Sequence, residues 1–199
     1  MQQGMLIIVS GPSGSGKGTL CAELIRRRPD MKISVSATTR TPRPGELHGI
    51  NYFFLSPDEF DKLIEADGFL EWAAIYSYKY GTPVGPVKDM LARGIDIILE
   101  IDVQGGLQIR EKYPDAILVF ITTPSRQELE RRLRGRGTDE AGEIEVRLEW
   151  AGSELVQAAR YDYLVINDEV ENAVHKLECI VEAERCRPRR IVIPGWISY

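Results

Sequence analysis

The chain has no apolar run near the ~20 residues that cross a bilayer. It also lacks a secretory leader pattern: Met5 to Val9 is too short for an h-region and runs straight into a glycine-rich stretch. A basic excess is missing as well. The formal charge is −5, whereas a long nucleic acid selects a strongly positive surface. Neither a membrane nor a nucleic-acid polymer is therefore an expected partner. Cysteine is scarce: there are three, an odd number, and their spacings are not those of a zinc site. Cys179 and Cys186 fall seven apart on a late helical pattern, but reduced thiols in a cytoplasmic protein are the expectation over a redox pair. No internal repeat and no low-complexity segment is present.

What remains is an ordinary globular composition. The 199 residues are 43% apolar, enough for one domain with a substantial core. Short apolar runs at Met5–Val9, Ile95–Ile101, Ala116–Ile121 and Tyr163–Ile166 read as buried strands. Helical patterns alternate with them: about 17–28, stopped by Pro29, then Val84–Arg93, one after Gly105-Gly106, one from Ser125, one to about Arg160, and 169–185. Alternation of this kind implies βαβ units and a parallel sheet. The stretch from about 36 to 84 breaks the rhythm. It holds a proline- and glycine-bearing loop at 38–50, a strand pattern at Asn51–Leu55 and a helix opened by the capping box Ser56-Pro57-Asp58-Glu59. Aromatic-rich strand and turn follow at Phe69–Tyr80, so the stretch reads as an inserted α+β lobe. Short strands are also expected at Ile33–Val35, and a second capping box at Ser125 and Glu128.

The strongest motif is Gly11-Pro12-Ser13-Gly14-Ser15-Gly16-Lys17-Gly18-Thr19, between a buried strand and a helix. Backbone N–H groups of such a loop cradle nucleotide phosphates, Lys17 reaches the β/γ oxygens, and the helix directs its positive end at the same anion. The bland alternative is a turn that binds nothing, but three glycines and a lysine in that setting argue against it. ATP is the expected ligand. One position departs from the strict motif: Gly18 stands where a hydroxyl residue would ligate magnesium, with Thr19 next.

Other groups carry chemistry only in company. Arg40 and Arg43, three apart on a proline-stiffened loop, suit a phosphate dianion, although a solvated basic loop has the same pattern. Glu71 beside Trp72 could accept both N1–H and the 2-amino group of guanine, which adenine does not offer; on spacing alone it is equally a surface carboxylate. Glu100 and Asp102 end a buried strand, where acids commonly serve Mg²⁺ directly or through water, or simply exit to solvent. Arg131, Arg132, Arg134, Arg136 and Arg147 surround a glycine-rich stretch at 134–143. They suit a flap closing on transferring phosphates, or they pair with Glu128, Glu130, Glu143 and Glu145.

From about Leu6 to about Glu184 the chain resembles the guanylate kinases, a branch of the nucleoside monophosphate kinases. The carriers are Thr39-Arg40-x-x-Arg43-x-x-Glu46-x-x-Gly49-x-x-Tyr52-x-Phe54, Glu71-Trp72, Tyr80-Gly81, Glu100-Ile101-Asp102-Val103-Gln104-Gly105, and Arg132 through Gly135-Arg136-Gly137-Thr138. The resemblance implies an α/β P-loop kinase fold: a parallel sheet core flanked by helices (about 5–35, 85–124 and 160–187), a GMP-binding lobe (36–84), a short helical lid (125–159) and a tail (188–199). It implies Mg-dependent transfer of the ATP γ-phosphoryl group to GMP, within purine nucleotide metabolism. Arg40, Arg43, Tyr52 and Tyr80 would hold the GMP phosphate, with Glu46 supporting the arginine loop. Glu71 with Ser36 and Thr82 would read guanine, Asp102 would sit near the guanosine, and Glu100 near the Mg²⁺ hydration shell, with Thr19 a second candidate ligand. Gly11, Ser13, Gly14, Ser15, Gly16, Lys17, Gly18 and Thr19 would bind ATP phosphates, Asn167 would contact adenine, and Arg132, Arg136 and Arg147 would stabilise the transferring group. Two alternatives stand beside it: a non-catalytic guanylate-kinase-like binding module, for which a degraded phosphate loop is typical, and a related kinase with another small acceptor. The tail carries Trp196 and Ile197, which leaves open packing on the body or a homo-oligomer contact.

Overall fold

The structure is a computed structural model and describes residues 3–75, 77–135 and 141–191, the side chains of 141–143 excepted. The four apolar runs form β1 (Leu6–Ser10), β7 (Ile97–Glu100), β8 (Ile117–Thr122) and β9 (Tyr163–Ile166). With β2 (Lys32–Ile33) they make a five-stranded sheet in the order β2-β7-β1-β8-β9, every pair parallel. β1 is central and fully buried.

Its side chains alternate between two cores. Ile7 and Val9 pack with Leu20 and Leu24 of α1 (Lys17–Arg27) and with Val174, Leu177 and Val181 of α7 (Val170–Arg185). Leu6 and Ile8 face Val87 and Leu91 of α3 (Val84–Ala92) and Ile109 of α4 (Val103–Lys112). Helices cover both faces, so the strands read as apolar runs rather than as alternation. The carboxyl ends of β1 and β7 open on one rim, where the loop of Gly11 to Gly16 and the Glu100–Asp102 acids emerge.

A second sheet, built between residues 37 and 83, has the order β4-β3-β6-β5 from β3 (Ala37–Thr38), β4 (Phe53–Phe54), β5 (Phe69–Ile75) and β6 (Tyr78–Pro83). Its small core is Ala37, Phe60 and Phe69, with Phe60 supplied by α2 (Pro57–Glu65). The Ser56 box is complete: Glu59 N donates to Ser56 Oγ, and Ser56 N donates to the Glu59 carboxylate at 2.8 Å. α5 (Arg126–Gly135) and α6 (Ala141–Val156) share a third cluster of Leu129, Leu133, Ile144, Leu148 and Ala151.

Several expectations change. Gly105 and Gly106 do not precede the helix; they lie in the first turns of α4, which Asp102 caps by accepting from Gly105 N at 3.0 Å. The Ser125 box is half formed: Glu128 N donates to Ser125 Oγ, while the Glu128 carboxylate takes Arg131 and Arg132 instead. β2 ends at Ile33, and β4 shrinks to two residues, the length of the strand β3 with which it pairs. The helix expected to run to Arg160 tightens to a 3₁₀ turn over Gln157–Arg160. Arg136, Gly137, Thr138, Trp196 and Ile197 lie outside the described residues. Among the described residues no helix is long and apolar enough to cross a membrane.

Candidate active site

The loop after β1 turns sharply through Gly14 and Gly16, both at φ +90°, a left-handed conformation that glycine adopts without a Cβ penalty. Lys17 opens α1 and folds back, its Nζ donating to Gly11 O (2.6 Å) and Pro12 O (3.1 Å). Distant residues hold the loop's shape. Asn167, 2% exposed, donates from Nδ2 to Ser15 O at 2.8 Å. Its Oδ1 and the Ser15 hydroxyl are buried and have no partner among the described residues. The expected adenine-side residue thus has its amide beneath the loop.

The arginines divide. Arg131 and Arg134 point outward and pair along their own helix with Glu128 and Glu130, as solvated helical arginines do. Arg132 turns inward: Nη2 donates to Asn167 O (2.9 Å), Nη1 reaches Ser15 O (3.5 Å), and Glu128 holds Nε at 2.7 Å. Arg147 of α6 donates to Ser13 Oγ at 3.1 Å. Two guanidinium groups from the α5–α6 pair therefore meet the phosphate loop.

A second basic group forms across the rim. Both Glu46 oxygens accept from Arg40 Nη2 at 2.9 Å, and Glu46 Oε2 also accepts from Arg43 N at 2.7 Å. The Arg43 amide, with the Arg40 guanidinium, holds the Glu46 carboxyl below its ordinary range. The Arg40 guanidinium lies 5.6 Å from the Tyr52 ring and 5.8 Å from the Phe54 ring, and the Tyr52 and Tyr80 rings meet edge-on at 6.1 Å. Burial, then the nearby Glu100 charge, pushes the Tyr52 hydroxyl up.

Glu71 is 3% exposed. Phe69, Leu70 and Glu71 are buried in succession, which plain alternation forbids; the β5–β6 register shifts at this place. Phe69 goes to the small core, Leu70 to the main core, and Glu71 receives the Thr82 hydroxyl at 2.6 Å. Desolvation, reinforced by Asp102, raises the Glu71 carboxyl to about 7. A Cβ at Gly105 would collide with Glu71 Oε2, so the glycine is required by a close approach. Ser36 and Tyr80 are half-buried beside this site's strands. Glu100 is exposed and lies against α1: a Cβ on Gly18 would stand 3.3 Å from its Oε1. Thr19 is exposed on the first turn of α1.

Sequence reasoning missed the supporting polar groups. Ser10 donates to Asp102 O at 3.2 Å, joining the phosphate loop to the α4 cap. Tyr161 packs its hydroxyl against Ser10 and Gly106 without good hydrogen-bond geometry, and burial pushes it up to about 12. Partners 92 residues apart leave no local pattern to read; the paired glycines were the available signal, as a place where something comes close.

The family description "Guanylate kinase" matches residues 3–184. A guanylate kinase of Caldanaerobacter subterraneus is 50% identical over 95% of this chain and 92% of its own. One of Carboxydothermus hydrogenoformans is 49% identical over 96% and 94%. The crystal structure of guanylate kinase from Anaplasma phagocytophilum superposes with a TM-score of 0.80 at 28% identity, covering 96% of this chain and 90% of that one. With the intact phosphate loop and the buried Glu71 in place, this chain belongs to the guanylate kinase family.

Proposed function

We propose that the chain is an ATP:GMP phosphotransferase that uses Mg²⁺ and converts GMP and ATP to GDP and ADP. The observation that carries the acceptor assignment is Glu71, a buried carboxylate fixed by Thr82. Ionised, it accepts N1–H and the 2-amino group of guanine together; adenine would leave it buried and unpaired. We assign residues 36–84 to the GMP lobe, 125–159 to the lid and the rest of 5–187 to the core.

Arg40 and Arg43 hold the acceptor phosphate with Tyr52 and Tyr80, and Glu46 pre-orders the Arg40 guanidinium and the Arg43 backbone. Ser36 and Thr82 line the base side and Asp102 the nucleoside side. Lys17, the loop amides, Arg132 and Arg147 bind the ATP phosphates and neutralise charge on the transferring group; Arg136 and Asn167 are assigned to the same side. The acceptor is already a phosphate oxygen, so positioning and electrostatics carry the reaction and no general base is needed. Among the described residues no three His, Cys, Asp or Glu side chains group to hold a metal. Glu100, exposed at the end of β7 and close to Gly18 on the first turn of α1, fits an outer partner of an ion that keeps waters and phosphate oxygens. A magnesium ion held there would supply positive charge to offset that of the ATP phosphates. The free thiols of Cys21, Cys179 and Cys186 support a cytoplasmic setting.

A coupled assay with MgATP across GMP, dGMP, AMP, CMP and UMP tests the reading. GMP is expected to be far better than AMP, and comparable rates with AMP would refute the role of Glu71. Lys17→Ala should lower turnover by orders of magnitude. The intact loop disfavours a binding module, which would show no ATP binding in dialysis.

A further inference from the structure

β5 is an edge strand: β6 pairs with one side, and among the described residues no strand pairs with the other. Unpaired edge groups near a core need partners. Here α4 supplies them from its side chains. Gln108 Nε2 donates to Trp72 O at 2.9 Å, and Gln108 Oε1 accepts from Trp72 N at 3.3 Å. Lys112 Nζ donates to Leu70 O at 3.1 Å. The amide of Gln108 thus imitates a neighbouring strand at one residue, Trp72, and Lys112 continues the ladder two residues back.

The residue between the two clamped positions is Glu71. It touches the same helix a third time, where its carboxylate abuts Gly105. Gly105, Gln108 and Lys112 follow at helical spacing on one stripe of α4, with the cap residue Asp102 at its head. One helix face therefore contacts the strand before, at and after Glu71.

We propose that Gln108, assisted by Lys112, is a positioning residue of the acceptor site: it completes the free edge of β5 and so fixes Glu71 for guanine. This rests on the GMP reading of Glu71 above. A carboxylate that must accept two adjacent donors tolerates little displacement. The strand carrying it is anchored through β6 on one side and through Gln108 and Lys112 on the other.

The test uses the full-length protein with Gln108→Met, which keeps the bulk and removes both bonds, and Gln108→Glu, which keeps only the acceptor. KM for GMP, KM for ATP, kcat, the GMP-over-AMP ratio of kcat/KM and Tm are measured for each. Loss of two neutral hydrogen bonds that hold the reader should raise KM for GMP about tenfold in Gln108→Met. The GMP-over-AMP ratio should fall by about the same factor, with KM for ATP within twofold of wild type. Gln108→Glu should be at least as impaired, because its charge faces Trp72 O. The inference is overturned if KM for GMP and the selectivity ratio stay within twofold, or if KM for ATP and KM for GMP rise together while Tm falls, as in general loosening. A wild-type enzyme with no preference for GMP would instead defeat the underlying reading, which the same panel reports separately.

Discussion

Glu71 is a carboxylic acid that water hardly reaches, and its pKa is raised to about 7 by that burial and by Asp102. Guanine needs the ionised form, because a protonated carboxyl turns a donor toward N1–H. KM for GMP is therefore expected to be flat above pH 8 and to climb as the pH falls below 7, approaching tenfold per unit. KM for ATP should not follow, which initial rates with each substrate varied in turn will show. The same shift has a stability consequence. The folded pKa lies above the ordinary 4.5, so the carboxyl's favourable contribution is complete below about 4.5 and is lost as the pH rises through 7. Glu71→Gln keeps the shape and an acceptor for Thr82 but carries no charge. It should stabilise the ligand-free protein at pH 8 by up to ~3 kcal/mol and much less at pH 5, while cutting kcat/KM for GMP at least a hundredfold. Melting curves at the two pH values check the first claim. A stabilisation independent of pH would contradict the assigned cause.

At the scale of elements, α4 carries most of what the sequence hides. β1 and β8 are legible because a sheet covered on both faces must be apolar throughout, and α2 is legible because its capping box is local. Gly105 and Gly106 are read as a break for the opposite reason. Glycine is a poor helix former, and its presence in α4 is dictated by Glu71 from β5 and by Tyr161 and Ser10, none of them neighbours in sequence. Glycine-to-alanine substitutions separate the two influences. At Gly152, in α6, a Cβ meets nothing within 4 Å, so alanine should stabilise by roughly 0.5–1 kcal/mol through helix propensity alone. At Gly105 the same propensity gain is opposed by a collision with a buried carboxylate, and overpacking of about 1–3 kcal/mol wins. Gly105→Ala should lower Tm and raise KM for GMP; Gly152→Ala should raise Tm and leave KM for GMP alone. If both alanines stabilise, the close contact at α4 is not a constraint.

The whole molecule joins a well-covered parallel sheet to a lobe with a much thinner core. Five residues of β1 and five of β8 are buried, against a lobe core of Ala37, Phe60 and Phe69 with two-residue strands at β3 and β4. The phosphate loop and the Arg40–Glu46 group are legible as separate motifs. Their convergence is not, because it depends on where β1, β3 and β7 end in space rather than on any spacing. Local stability should follow the burial, since backbone opening is resisted by the apolar contacts it breaks. In amide hydrogen exchange, β1 and β8 are expected to exchange only through global unfolding. Amides of β3, β4 and the 39–52 loop should exchange faster in the free protein. GMP alone should slow that lobe set, because the arginine loop and Glu71 are the groups we assign to it, whereas an unreactive ATP analogue alone should protect the Gly11–Gly16 loop and the first turn of α1. Both ligands together should protect both sets, raising stability by RT ln(1 + [L]/Kd) for each, about 2.7 kcal/mol at a hundredfold excess over Kd. Protection of the 39–52 loop by the ATP analogue with no effect of GMP would reverse the assignment of the two phosphate sites.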